Sequence, residues 1–345
     1  MKQRLTAMLA GIVLILGLGV NPAQAQDPSS AALAVVESAV TAAGDLITPP
    51  PIDLKRDKQT GLRQGKFAPK GNPGKGSTAR TTTLLSGPPY FFYGLARQAL
   101  AAGESATSLA ANINIGNYYL NPADFHTLGQ IAVQSHNSLQ RIETGVTVDP
   151  TVCGAGNSPC LFVFWAKNGV GQCYNGCGFV PYATYCNTVG ALCAGASLSS
   201  HVGTAKRFQI IHSGTAWWVA YNAQWIGYYP DTLFTASTPS GPGVTFTSGG
   251  LFQGFYEVAA NEPEPCTDLA LGIFAGDPSG TAARVGSISM TGTAPGTIAN
   301  NFTASVQPVP SPTVYTVQQL SATTTRVGGP MWNAAGTAVG TTGGC

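Results

Sequence analysis

Charge is what this 345-residue chain has least of: Asp, Glu, Lys and Arg together make up 9% of it, and they are unevenly placed. From residue 88 to the end, 258 positions hold seven Lys/Arg and ten Asp/Glu, a balance of minus three (7 − 10). Eight Lys/Arg against one acid, Asp57, crowd into Lys55–Arg80. A body with so few ionisable groups has little charge to repel itself when carboxylates protonate, so tolerance of acid is expected. It also offers no basic face, and no nucleic-acid partner is expected. Beyond the first 25 residues no stretch approaches the roughly 18 to 20 uncharged apolar residues of a membrane helix.

Other absences narrow the chemistry. His126, His136, His201 and His212 show no His-Glu-x-x-His spacing, which argues against a zinc hydrolase. No Gly-x-Ser-x-Gly elbow occurs, and the adjacent Ser/His pairs make no triad by themselves. Gly74-Lys75-Gly76-Ser77 follows no strand pattern and has the wrong spacing for a phosphate loop. No metal and no organic cofactor are expected. Cysteine is missing from the first 150 residues, yet eight occur from Cys153 onward.

The chain opens as an export signal does: Lys2 and Arg4, an apolar run from Met8 to Val20, then Ala23-Gln24-Ala25 as a small-residue cleavage site. Residues 1–25 are read as a signal peptide and the product as secreted, with no membrane attachment after cleavage. In an exported chain an even cysteine count argues for disulfides. Short spacings make Cys153 with Cys160, Cys173 with Cys177, and Cys186 with Cys193 candidate local staples, leaving Cys266 with Cys345. Residues 26–48 are rich in Ala and Val and suit a short helix. From Pro49 to Arg80 the chain is basic, rich in Pro and Gly and without apolar periodicity, as a linker is. Residues 26–87 are therefore set apart from a domain spanning 88–345.

That domain reads as all-β. Short apolar runs such as Leu161–Trp165, Phe208–Ser213, Ala216–Asn222, Phe252–Ala259 and Val285–Met290 alternate with Gly, Pro, Ser and Asn, the spacing of an antiparallel β-sandwich or barrel. Against so little charge, Glu143 and Glu257 stand out, each inside a strand-like run. In Arg141–Val148, Ile142, Thr144, Val146 and Val148 share one face, and Glu143 shares the other with Arg141, Gly145 and Thr147. In Phe252–Ala259, Gln253, Phe255, Glu257 and Ala259 share a face opposite Phe252, Gly254, Tyr256 and Val258, the pattern of a strand covered on both sides. Two carboxyls are a minimal acid/base pair.

Several blocks are specific enough to carry a resemblance. Trp165-Ala166-Lys167-Asn168-Gly169, then Gly171 through Val180 with Cys173-Tyr174-Asn175 and Cys177-Gly178-Phe179-Val180, is similar to the signature of neprosin-type glutamic peptidases. Trp217-Trp218-Val219, followed by Ile226-Gly227-Tyr228-Tyr229-Pro230 and Leu233-Phe234, resembles that family's paired tryptophans and Ile-Gly-Tyr-Trp-Pro…Leu-Phe segment. Ile142-Glu143-Thr144-Gly145 resembles the segment of one catalytic glutamate, and Tyr256-Glu257-Val258 ahead of Ala270-Leu271-Gly272 that of the other. Val146 stands where the family has Trp, and Tyr256 where it has Gly. A second register, with Gly249-Gly250 as the family's Gly-Gly, places Leu251 at the catalytic position and implies an inactive protein.

The resemblance implies a β-sandwich with a cleft on one sheet face and disulfide-stapled loops. It also implies an acid-active endopeptidase whose glutamates hold one water and share a proton, with a preference around proline. Trp217, Trp218, Tyr228 and Tyr174 become candidate substrate-binding residues. The partners implied are peptide substrates, and the basic 55–80 stretch suggests a prosegment that covers an acidic cleft. A monomer is expected. The competing reading is a non-catalytic peptide- or carbohydrate-binding sandwich, and it turns on whether Glu143 and Glu257 share a cleft.

Overall fold

A computed structural model describes residues 45–46, 48–53, 89–154, 158–234, 246–292, 298–307 and 314–330. The export signal, the basic stretch and the C-terminal residues from 331 lie outside the described residues, as does most of the expected 26–48 helix. Its described end is not helical: Leu46 donates its backbone N–H to Gln209 Oε1 and accepts from Gln209 Nε2, at 2.9 and 2.7 Å.

Among the described residues fifteen strands form two antiparallel sheets. In chain order they are β1 (Tyr90–Ala99), β2 (Ala106–Ile115), β3 (His126–Gln134), β4 (Arg141–Val148), β5 (Cys160–Lys167), β6 (Val170–Tyr174), β7 (Val180–Pro181), β8 (Thr204–Ser213), β9 (Ala216–Tyr221), β10 (Gln224–Pro230), β11 (Leu251–Ala260), β12 (Ala283–Gly292), β13 (Thr303–Gln307), β14 (Thr316–Ser321) and β15 (Thr324–Gly328). The first sheet runs β13-β1-β11-β3-β4-β5-β6 and the second β14-β15-β12-β2-β8-β9-β10-β7. Two four-residue helices, α1 (Pro150–Cys153) and α2 (Ala183–Cys186), sit in loops. The all-β sandwich expected from the alternation is the fold.

The main core lies between the sheets. Ile142, Val146 and Val148 of β4, Leu161 and Val163 of β5, and Phe252, Tyr256 and Val258 of β11 meet Leu109, Ile113, Phe208, Ile210, Trp217 and Val219 there. Each set is the apolar half of a period-two pattern, so the opposite half must face outward from the sandwich. For β4 and β11 that half holds Glu143 and Glu257. The other sheet's outward face carries a separate apolar cluster in which Trp218, Trp225 and Tyr228 pack with Leu46 and Ile52.

Three disulfides close the expected local loops, Cys153–Cys160, Cys173–Cys177 and Cys186–Cys193. Cys266 is also disulfide-bonded; Cys345, its expected partner, lies outside the described residues. The hairpin between β9 and β10 turns on Asn222 and Ala223, both at positive φ (48° and 60°), the twist that two-residue hairpin loops need.

Candidate active site

The first sheet's outward face buries polar groups in a way that a structural surface does not. On β3, β4 and β11 every residue is buried. Strand β3 is the ruler: Glu143 pairs with Ala132, Gly145 with Gln130, and Thr147 with Leu128. From the other side Gln253 pairs with Ala132, Phe255 with Gln130, and Glu257 with Leu128. Both glutamates therefore project from one face, flanking the same strand. They are offset by four residues along it, roughly 14 Å at strand rise, and lie two strand spacings apart, about 10 Å.

Their surroundings differ. Arg141, two residues before Glu143 on the same face, brings Nε to 2.9 Å from Glu143 Oε1 and stacks its guanidinium 5.7 Å from the Phe164 ring. An arginine keeps its charge at any working pH, so this is a fixed counter-charge. Glu257 Oε1 instead meets His126 Nε2 at 3.0 Å, and His126 Nδ1 faces Asp149 Oδ2 at 3.7 Å, with all three side chains buried. Asp149 is placed by its second job: as N-cap of α1 it accepts from Thr151 N at 2.8 Å and Thr151 Oγ1 at 2.7 Å. One carboxyl thus has an arginine beside it, the other a histidine.

Tyr174 reaches this face from β6. The Cys173–Cys177 disulfide ties the turn behind it, and Asn175, at φ 57°, accepts from Val163 N through its side chain at 3.0 Å. The Tyr174 ring packs on Phe162 and Phe164, at centroid distances of 5.4 and 5.0 Å. Burial, then the charges of Glu257, Asp149 and Glu143, push its hydroxyl well above the ordinary tyrosine range, against the opposing pull of Arg141. It stays an O–H donor, and it has no hydrogen-bond partner.

Glutamines fill the space between. Gln130 lies midway between the rows of the two glutamates, fully buried, with neither amide atom hydrogen-bonded. It fits because its neighbour is Gly145: a Cβ there would collide with the Gly129 carbonyl oxygen and come within 2.6 Å of Gln130 Cβ. Gln134 Nε2 donates to Gln253 Oε1 at 2.7 Å.

Of the residues singled out in the sequence, Glu143, Glu257 and Tyr174 come together. Trp217, Trp218 and Tyr228 do not: all three belong to the other sheet. Trp217 points into the core, where its Nε1 donates to Phe246 O at 2.6 Å, and Trp218 and Tyr228 pack at a tilt with ring centroids 4.6 Å apart beneath Leu46 and Ile52. Sequence reasoning passed over His126, Asp149, Gln130 and Gln134. Strand parity already put Arg141 beside Glu143 and Gln253 beside Glu257, but the four others need the register of β3. Among the described residues no group of three or more His, Cys, Asp or Glu is placed to hold a metal ion.

The family model described as Neprosin matches residues 123–331, which include both glutamates. No curated protein matches the chain. Similar solved structures include scytalido-glutamic peptidase with a transition-state-analog inhibitor, at 11% identity and a TM-score of 0.40 over 70% of this chain and 98% of that one. SCP-B, a member of the Eqolisin family of peptidases in complex with the tripeptide Ala-Ile-His, is similar at 10% identity and 0.35, again over 70% and 98%. A tetrameric galectin from the ball sponge Cinachyrella sp. is similar at 14% and 0.26, over 57% and 98%.

Proposed function

This chain belongs to the neprosin family, and on that premise we propose that it is a secreted, acid-active glutamic endopeptidase that cleaves peptide bonds around proline, with Glu143 and Glu257 as its two working carboxyls. The observation that carries the reading is the burial of two glutamates on one sheet face beside unlike partners, a permanent cation at Glu143 and a histidine at Glu257. Burying carboxyls costs several kcal/mol unless something is gained, and structural sheets avoid it.

The partners divide the work. Glu143, facing Arg141, is the carboxylate that takes a proton from the attacking water. Glu257, which meets His126 rather than an arginine, supplies one to the leaving nitrogen. Tyr174, protonated throughout, donates from above. For a bond to proline the leaving nitrogen is a secondary amine, and it needs that proton as much as a primary one does.

Residues 26–87 act as an inhibitory prosegment, with the basic 55–80 stretch drawn to a domain that is net negative. The described part of that segment is tied to the body on the sheet that lacks the glutamates, where Asp45 pairs with Arg207 at 2.7 Å. Acid weakens such attraction by protonating carboxylates.

The test is cleavage of an unstructured, proline-containing peptide in acid and at neutral pH by protein freed of residues 26–87. Glu143→Gln and Glu257→Gln variants with unchanged melting run beside it. Acid-favoured cleavage lost in both variants is expected. Full activity in either variant sinks the role given to that glutamate, and no cleavage by the folded parent sinks the peptidase reading.

A further inference from the structure

Gln253 stands abreast of Glu143, because both pair with Ala132 of β3, so their Cα atoms lie about two strand spacings, roughly 10 Å, apart across the smallest side chain in that row. Glu257 is four residues further along. Gln253 is fully buried, and its amide is not free to turn: Oε1 accepts from Gln134 Nε2 at 2.7 Å. That bond aims the Gln253 NH2 group away from Gln134, and this group has no acceptor. A buried amide donor without a partner costs about 1–3 kcal/mol. Here it is held in a fixed orientation beside the water-activating carboxylate, where a reacting carbonyl would need a donor.

We propose that Gln253 is the donor that binds the oxygen of the scissile carbonyl, with Gln134 as the residue that positions it. The inference rests on the peptidase reading and deepens it. In the step, water oxygen bonds to the carbonyl carbon as its proton passes to Glu143, and the C=O π pair moves onto oxygen. The resulting oxyanion accepts a hydrogen bond from Gln253 Nε2. When the intermediate collapses, the carbonyl re-forms, the C–N bond breaks, and the leaving nitrogen takes a proton from Glu257; the proton held on Glu143 then passes to solvent, which reprotonates Glu257. One water and one peptide become one acid and one amine, with no other reactant. The donor is pre-aimed by an internal hydrogen bond, so no reorganisation is needed as charge develops, which is the condition under which such donors act most strongly.

Three variants test it in the full-length protein, assayed in acid. Gln253→Met keeps length and burial but removes the donor; Gln253→Glu keeps shape and puts an acceptor in its place; Gln134→Met leaves the amide in place but unaimed. Removing one donor of this kind lowers kcat by roughly 100- to 1,000-fold with KM little changed. That loss is expected for both Gln253 variants, with a smaller loss for Gln134→Met and no fall in melting temperature for either methionine variant. A parent that cleaves peptide beside a Gln253→Met variant within twofold of it in kcat overturns the role of Gln253 and leaves the peptidase reading standing. Loss of activity that follows loss of folded protein in Gln253→Met, with Gln134→Met at parental kcat, also overturns it. A folded parent that cleaves nothing overturns both.

Discussion

The outward faces of the two sheets grow from the same period-two alternation and bury opposite things. The face of the second sheet buries Trp218, Trp225 and Tyr228, which pack edge-on and tilted at 4.6–5.8 Å and are roofed by Leu46 and Ile52 of the same chain. The first sheet's face buries Glu143, Glu257, His126, Arg141, Asp149 and three glutamines, and leaves Gln130 wholly and Tyr174 Oη without hydrogen bonds. An aromatic cluster lowers free energy by being there. Unsatisfied buried polar groups raise it, and they persist where another molecule is to supply the missing partners. By this contrast the conspicuous tryptophans hold the fold, and the inconspicuous glutamines keep donors and acceptors unspent.

A pair of substitutions breaks or sharpens that contrast most strongly. Trp218→Ala empties a packed aromatic site and should cost about 3–5 kcal/mol of stability while activity per folded molecule is kept. Tyr174→Phe removes one hydroxyl that has no protein partner, so stability should hold or rise while kcat/KM drops about tenfold, the worth of one lost hydrogen bond. Denaturant unfolding and initial rates on the same samples decide it. Stability lost in Tyr174→Phe, or activity lost in Trp218→Ala without unfolding, would collapse the distinction between the faces.

Much of this was legible before any coordinates. Alternation alone put Glu143 opposite Ile142, Val146 and Val148, and the structure has those three in the core. Cysteine spacing gave the three short disulfides, because loops that short leave their ends near one another. What alternation cannot supply is which residues of different strands stand abreast. The rows Glu143–Ala132–Gln253 and Thr147–Leu128–Glu257 exist only once β3 is inserted between β4 and β11, although β11 lies more than a hundred residues downstream. Trp217 and Trp218 misled for a related reason: adjacent residues on a strand face opposite ways. One is therefore core and the other outer face, and neither meets the glutamates.

The next largest effect separates the sheets by pH. Asp268, in the loop after β11, is buried and accepts from Tyr119 N at 3.0 Å. Burial lifts its carboxyl from 3.8 to about 7, against the lowering effect of that hydrogen bond. Its folded-state value lies above the unfolded one, so between those values the folded chain binds more protons. Stability from this group is therefore full in acid and is lost as pH rises toward 7, by an amount on the order of 4 kcal/mol. Asp268→Asn should flatten that slope, read as melting temperature against pH. An unchanged slope would show that acid stability comes from elsewhere. A domain that gains stability in acid fits the acid activity proposed above, in keeping with the scarcity of charge over the domain as a whole.

The smallest effect concerns the roof of the aromatic face. Gln209 holds Leu46 by two hydrogen bonds to its backbone, one donated and one accepted, as a neighbouring strand would; Asp45 adds bonds from Arg207 Nε at 2.7 Å and Ser289 Oγ at 2.6 Å. Gln209→Ala removes the strand-like pair and leaves the Leu46 backbone to be satisfied by water. The docking of residues 45–53 should weaken by about 1–3 kcal/mol, visible as faster hydrogen exchange at Leu46 with the amides of β8 and β9 unmoved. Because the tie sits on the sheet that lacks the glutamates, catalysis by the prosegment-free domain should be indifferent to the same substitution. If instead kcat falls with Gln209→Ala, the two faces are coupled through the core, and the division of labour between them fails at its weakest point.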